Sequence, residues 1–141
     1  MSDTNIDLVR RALDDVASQG KLDVLDEIAT PDFVRHDLGG APDIVGIDRI
    51  KRFIGAQRAV FGGLTFTADD IFAAGDKVVV RYTARGTHER EFQGIAPAGR
   101  AVSWKGINIY RIEHGKLAET WQLADIAGLM RQLGAGPAPA G

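Results

Sequence analysis

Asp125, Asn108 and His36 are the side chains of this sequence that could do chemistry together. The chain has no cysteine and three histidines, His36, His88 and His114. Thiolate nucleophiles, Cys-based zinc sites and iron–sulfur clusters are therefore excluded. There is no G-x-G-x-x-G, Walker loop, G-x-S-x-G elbow or H-E-x-x-H, and the histidines lack metal-ligand spacing. The remaining chemistry belongs to carboxylate, imidazole and amide groups, with no metal site expected. A carboxylate facing an aromatic-lined interior is costly unless paired or protonated. Desolvation raises its pKa and makes it a stronger base once ionised, which suits proton transfer near neutral pH. Asp125, close to Trp121 and Trp104, is the candidate for that role. It also directly precedes the apolar run Ile126–Met130, where Asp is a favoured helix N-cap, and the two roles are compatible.

The other candidates are polar groups and walls. Asn is depleted in strands and needs partners when buried, so Asn108 in mid-strand reads as a polar group of a pocket. His36, following Phe33 and Val34, could donate a hydrogen bond or shuttle a proton; the alternative is a structural histidine bonded to backbone. Trp104, Trp121, Phe33 and Phe53 are candidates for an apolar wall, though large aromatics also simply fill cores. Tyr110 and His88 complete the substrate-binding set; His88 reads otherwise as a loop-rim residue, and His114 as a turn residue.

Elements that could position these side chains follow from periodicity. Ile6, Val9, Leu13 and Val16 mark an amphipathic helix over about Asn5–Ser18, stopped by Gly20. Leu22, Leu25 and Ile28 give a short second helix limited by Pro31. Phe33–His36 is a brief extended segment, and Ile47–Phe61 a third helix stopped by Gly62-Gly63. The period then changes to two. Thr65–Phe72, Val78–Arg85, Val102–Ile112 and Leu117–Asp125 read as strands, and Ile126–Leu133 as a short last helix. Helices first and antiparallel strands after them describe an α+β domain, a curved sheet wrapped by three helices around a pocket. One domain over residues 1–134 and a flexible Gly/Pro-rich tail, 135–141, are expected.

The last hairpin carries the sharpest expectation. With His114-Gly115 as its loop, Ile112 faces Leu117, Tyr110 faces Glu119, Asn108 faces Trp121 and Trp104 faces Asp125. Period two then puts Trp104, Asn108, Glu119, Trp121, Leu123 and Asp125 on one face, the better candidate for the core. A one-residue slip would reverse this.

Composition bounds the partners. The 141 residues carry 17 Lys+Arg against 19 Asp+Glu, a net charge of −2. That argues against an electrostatic nucleic-acid binder. The polar N-terminus lacks the order of a signal peptide, and the apolar runs are far shorter than a membrane span, so a cytoplasmic protein with no membrane partner is expected. Ile107, Ile109 and Ala124, on the sheet face away from the expected core, point to a homo-oligomer, a dimer or tetramer.

Several stretches carry a resemblance. Gly86-Thr87-His88, followed by Glu91-Phe92-Gln93-Gly94-Ile95-Ala96-Pro97-Ala98-Gly99-Arg100, resembles a signature of SnoaL-like polyketide cyclases. Gly106–Ile112, then Gly115–Glu119 with Trp121 and Asp125, is similar to the closing strands of that family. Pro31–Asp37 and Gly128–Gly134 also fit. The resemblance implies the nuclear transport factor 2-like (NTF2-like) α+β cone, with cofactor-free acid/base catalysis of an intramolecular aldol closure on an apolar or polycyclic carbonyl substrate. Asp125 best matches the family's acid/base aspartate, and on that resemblance Asn108 and His36 would polarise or hold carbonyl oxygens. Asn108 stands where relatives often have Asp, and Ala98 replaces the usual Thr. The same pocket could host an epoxide-opening cyclase, a hydrolase or a hydroxylase partner, or bind a small molecule without reaction. An epoxide hydrolase would want an Asp–Arg–Asp network, and the face derived for the hairpin holds no Arg.

Overall fold

Apolar side chains at helical spacing begin the chain as α1, Ser2–Arg11, in a computed structural model that describes residues 2–134. The expected tail, 135–141, lies outside the described residues. From Ala12 to Ser18 the helix continues with the wider π turn, a departure common at functional sites. Leu13 and Val16 on this turn are buried. Arg58 closes its end: Nη1 donates to the carbonyls of Ala17, Ser18 and Leu64 at 2.7, 2.9 and 3.1 Å. One guanidinium thus satisfies orphan carbonyls of a helix end and ties them to the sheet. A 3₁₀ turn, Leu22–Val24, leads into the single turn of α2, Leu25–Ile28.

The strand β1 spans Ala29–Asp37, and a two-residue β2, Ile44–Val45, pairs with it. The helix α3, Ile47–Val60, precedes β3, Phe61–Ala74. The remaining strands are β4 (Lys77–His88), β5 (Ala101–Glu113) and β6 (Lys116–Ala124), and α4, Ile126–Gln132, ends the described chain. The order across the sheet is β2-β1-β6-β5-β4-β3. β1 runs parallel to β6 and every other neighbouring pair is antiparallel. The result is an α+β fold of four helices on a six-stranded, curved, mixed sheet. β3 starts earlier than expected because Phe61 and Gly62 already pair with His88 and Thr87; Gly63, at φ +64°, takes up the bulge that follows.

The core lies between the inner sheet face and the helices. Val9, Leu13, Val16, Leu25, Ile28, Ile50, Val78, Val80, Ile112 and Leu117 form one cluster. Phe61, Leu64, Tyr82, Ala84, Val102, Trp104 and Leu129 form a second. No helix among the described residues is long and apolar enough to cross a membrane.

The hairpin register differs from the expectation at one point. Glu113 pairs with Lys116 and Ile112 with Leu117, as the turn requires. The register then shifts, so Arg111 pairs with Glu119, Tyr110 with Thr120, Ile109 with Trp121 and Asn108 with Gln122. Ala118 is the extra residue of a β-bulge, and one extra residue exchanges the faces of everything beyond it. Glu119, Trp121 and Leu123 therefore lie on the outer face, and Thr120 and Gln122 on the inner one.

Candidate functional site

A cavity of about 740 Å³ opens between the inner sheet face and the helices, a volume typical of small-molecule sites. Its helical wall is apolar, with Leu13, Val16, Ile50, Phe53 and Ile54; Phe33, Phe61, Phe66 and Trp104 continue it on the strands. Phe61 and Trp104 pack with ring centroids 5.0 Å apart. Polar groups gather on the β1, β6 and β5 part of the sheet. Cross-strand pairing sets them in two rows, Arg35–Thr120–Tyr110 and Asp37–Gln122–Asn108. All six line the cavity.

Each polar group has a defined setting. Arg35 donates from Nε to Gln122 Oε1 at 2.8 Å, and its guanidinium carbon lies 4.2 Å from the Phe53 ring centroid. Burial lowers the Arg35 pKa, and the charge of Asp37 opposes that shift. Asp37 accepts from the Gly39 N–H at 2.7 Å, a local turn bond. Asn108 is 4% exposed; its Nδ2 donates to the Tyr110 hydroxyl at 3.4 Å, and its buried Oδ1 has no partner among the described residues. Burial pushes the Tyr110 hydroxyl up, and pushes Tyr82 up to about 12. Both phenols therefore stay protonated near neutral pH and serve as hydrogen-bond donors.

Asp125 stands at the cavity mouth. It lines the cavity, it is exposed, and its own N–H donates to the Lys105 carbonyl at 2.9 Å. Oδ1 accepts from the Gly128 N–H at 2.8 Å, which caps α4. The expected desolvated position facing Trp104 is thus corrected: the strand ends at Ala124, and the bulge carries Asp125 to the rim. The capping role is present, and Oδ2 has no hydrogen-bond partner among the described residues.

The structure brings Asp125, Asn108, Tyr110, Trp104, Phe33 and Phe53 to one cavity. It places His36, Trp121 and His88 elsewhere. Period two along β1 turns Phe33, Arg35 and Asp37 inward and His36 outward. There His36 stacks on Trp121 at 5.6 Å, donates from Nε2 to the Glu119 carboxylate at 2.5 Å, and has Nδ1 3.0 Å from the Asp43 carboxylate. Glu119 also takes a bond from Arg111 Nε at 3.1 Å. Trp121 leaves the pocket wall because of the Ala118 bulge. His88 is 1% exposed beside Phe61, not at a loop rim, because the loop after it folds back: its N–H donates to the Arg100 carbonyl and its carbonyl accepts from the Gly99 N–H. Arg35, Asp37, Thr120 and Gln122 were not foreseen. The signal for the first two was present, since placing Phe33 inward fixes residues 35 and 37 by parity. The charged pair Arg35 and Asp37 also corrects the expectation that the sheet face holds no Arg, because β1 extends that face.

The chain is thus an α+β cone with an apolar cavity, a polar patch at one side of it and a carboxylate at its mouth. Residues 7–133 match the profile of the SnoaL-like polyketide cyclases, and the chain belongs to that family. Among solved structures, TsrD from Streptomyces laurentii is 31% identical, with 94% of this chain and 96% of that one covered and a TM-score of 0.83. IdmH from Streptomyces antibioticus, assigned as a polyketide cyclase, is 29% identical over 92% and 98% of the chains with a TM-score of 0.80. A Jannaschia sp. CCS1 protein assigned as a SnoaL-like polyketide cyclase is 25% identical over 96% and 95%, with a TM-score of 0.86. No curated protein sequence matches the chain.

Proposed function

We propose that this chain is a cofactor-free cyclase that closes a ring by intramolecular aldol reaction on a carbonyl substrate held in the cavity. The observation that carries the reading is the carboxylate of Asp125 at the mouth of an apolar cavity, with Oδ1 fixed by the Gly128 N–H and Oδ2 free of protein partners among the described residues. Oδ2 takes the acidic proton from a carbon flanked by carbonyls. The carbanion forms a carbon–carbon bond to a second carbonyl carbon, and the resulting alkoxide takes the proton back from Asp125. Asn108 Nδ2 and the protonated hydroxyls of Tyr110 and Tyr82 are the donors for the developing oxyanions. Phe33, Phe53 and Trp104 hold the apolar body of the substrate. General acid/base catalysis of this kind contributes about 10²–10⁴-fold.

The test is Asp125→Asn, which keeps the shape and an acceptor oxygen for the Gly128 N–H. Loss of ring closure on a polyketide methyl ester, with unchanged folding, supports the reading. Full turnover by the folded variant overturns it and leaves a binding protein without reaction. A second reading, an epoxide-opening or hydrolytic enzyme, draws on Arg35 and Asp37 sharing the cavity with Asp125. Asp37→Asn separates the two, because ring closure by Asp125 does not need Asp37 and a carboxylate–arginine–carboxylate hydrolase does.

A further inference from the structure

Arg35 is a partly buried cation whose charge no protein carboxylate neutralises at close range. Among the described residues it forms no ion pair within 4.0 Å, and its one hydrogen bond runs from Nε to Gln122. Charged groups taken out of water are ordinarily paired, because desolvation is otherwise uncompensated. Asp37 is near enough to act on its charge, but its carboxylate is turned to the Gly39 N–H. The guanidinium is also held in one orientation. Gln122 holds its Nε and Phe53 supports its face, and neither Nη group has a hydrogen-bond acceptor among the described residues, which leaves them as a planar fork of free donors. Such a fork matches two coplanar oxygens sharing a negative charge.

We propose that Arg35 is the anchor for a planar oxyanion on the ligand, either a carboxylate or the enolate of a 1,3-diketone, with the apolar part of the ligand against Phe53 and Trp104. Gln122 is a positioning residue that sets the fork. The proposal takes the cavity to be the substrate site, as the proposed function does, but needs nothing from Asp125. It also gives the cavity a direction. The ionised end of the ligand sits on the β1–β6 side, and the opposite end reaches towards Trp104.

Isothermal titration with three probes of one shape tests this: 2-naphthoate, the enolate of 1-(2-naphthyl)butane-1,3-dione at a pH above its ionisation, and neutral methyl 2-naphthoate. The wild-type protein is expected to prefer at least one anion over the ester by about tenfold or more, the worth of a charge-assisted bidentate contact. The anion preferred identifies the source of the charge. Arg35→Gln is expected to erase the preference, Arg35→Lys to keep part of it, Gln122→Leu to reduce it, and Asp37→Asn to increase it. If Arg35→Gln fails to fold, the Lys and Gln122 variants still decide. Equal binding of all three probes, no binding at millimolar concentration, or a preference that survives in folded Arg35→Gln would overturn the proposal. Asp125→Asn, which leaves Arg35 and Gln122 intact, should still prefer an anion over the ester. If that variant also cyclises normally, the proposed reaction fails and the anchor stands.

Discussion

The Asp125 carboxylate lies over the α-carbon of Gly128, three residues on, with Oδ1 2.8 Å from the Gly128 nitrogen and Oδ2 where a β-carbon at 128 would intrude. A Cβ built there would sit 2.2 Å from Oδ2. Position 128 therefore sets the rotamer of the proposed base as well as capping α4. Gly128→Ala is expected to displace the carboxylate and weaken the cap. Loss of the cap, worth about 1 kcal/mol, is set against a gain of about 0.5–1 kcal/mol from replacing a helical glycine, so stability should fall only slightly. Any catalytic rate should fall by more than that loss explains, which thermal melts and turnover on the same sample would separate.

Gly106 has a comparable role under Tyr82, its cross-strand neighbour. A Cβ at 106 would meet the Tyr82 hydroxyl at 2.3 Å. Gly106→Ala should move the Tyr82 ring against Trp104 and Phe66 and cost about 1–3 kcal/mol, the usual range for overpacking. Urea unfolding would show it, and a variant as stable as wild type would mean the ring has room to shift.

The outer cluster of His36 predicts a pH dependence. Its hydrogen bond to Glu119, then that to Asp43, raises the His36 pKa above the ordinary 6.5. Its contribution to stability is complete below 6.5 and fades as pH rises through the raised native value. Glu119 is lowered from 4.5, first by the bond to His36 and then by that to Arg111. Its contribution is complete above 4.5 and is lost as pH falls through the lowered native value. The stability difference between wild type and His36→Gln should therefore be largest between about pH 4.5 and 6.5 and shrink towards pH 9. A difference that does not vary with pH would mean the cluster acts through packing alone.

The same outer face carries Phe72, Ile107 and Leu123, each about half exposed at 52, 49 and 49%. An apolar sheet face of this kind fits association between copies, and a homodimer or larger assembly is expected. Light scattering at micromolar concentration should show it, and Ile107→Glu with Leu123→Lys should give a monomer. A wild-type protein that is only monomeric under those conditions would contradict the expectation.

Much of the scaffold was legible because its signals are local. Gly20 bounds the first helical segment, His114-Gly115 sets the hairpin turn, and period two carries Trp104, Asn108 and Tyr110 to one face. The Ala118 bulge has no local signature, since nothing in Leu117-Ala118-Glu119 distinguishes a paired residue from an extra one. That single residue moved Glu119 and Trp121 outside and brought Thr120 and Gln122 in. Arg35 was hidden for a different reason. The brief segment around Phe33 extends to nine residues only because β6 offers it a parallel edge, a long-range pairing that periodicity does not report. Phe33 and His36 could not both have lined the cavity once that segment was a regular strand.

Proton abstraction is the step on which the account rests, and it can be measured without the natural substrate. Deuterium uptake at the carbon between the carbonyls of an aromatic β-keto ester, followed by NMR, reports it directly. The wild-type protein should accelerate uptake over buffer. Asp125→Asn, with an unchanged melting temperature, should lose most of that acceleration, about 10²-fold or more. Equal uptake by the folded variant and the wild type would contradict the assignment of Asp125 as the base.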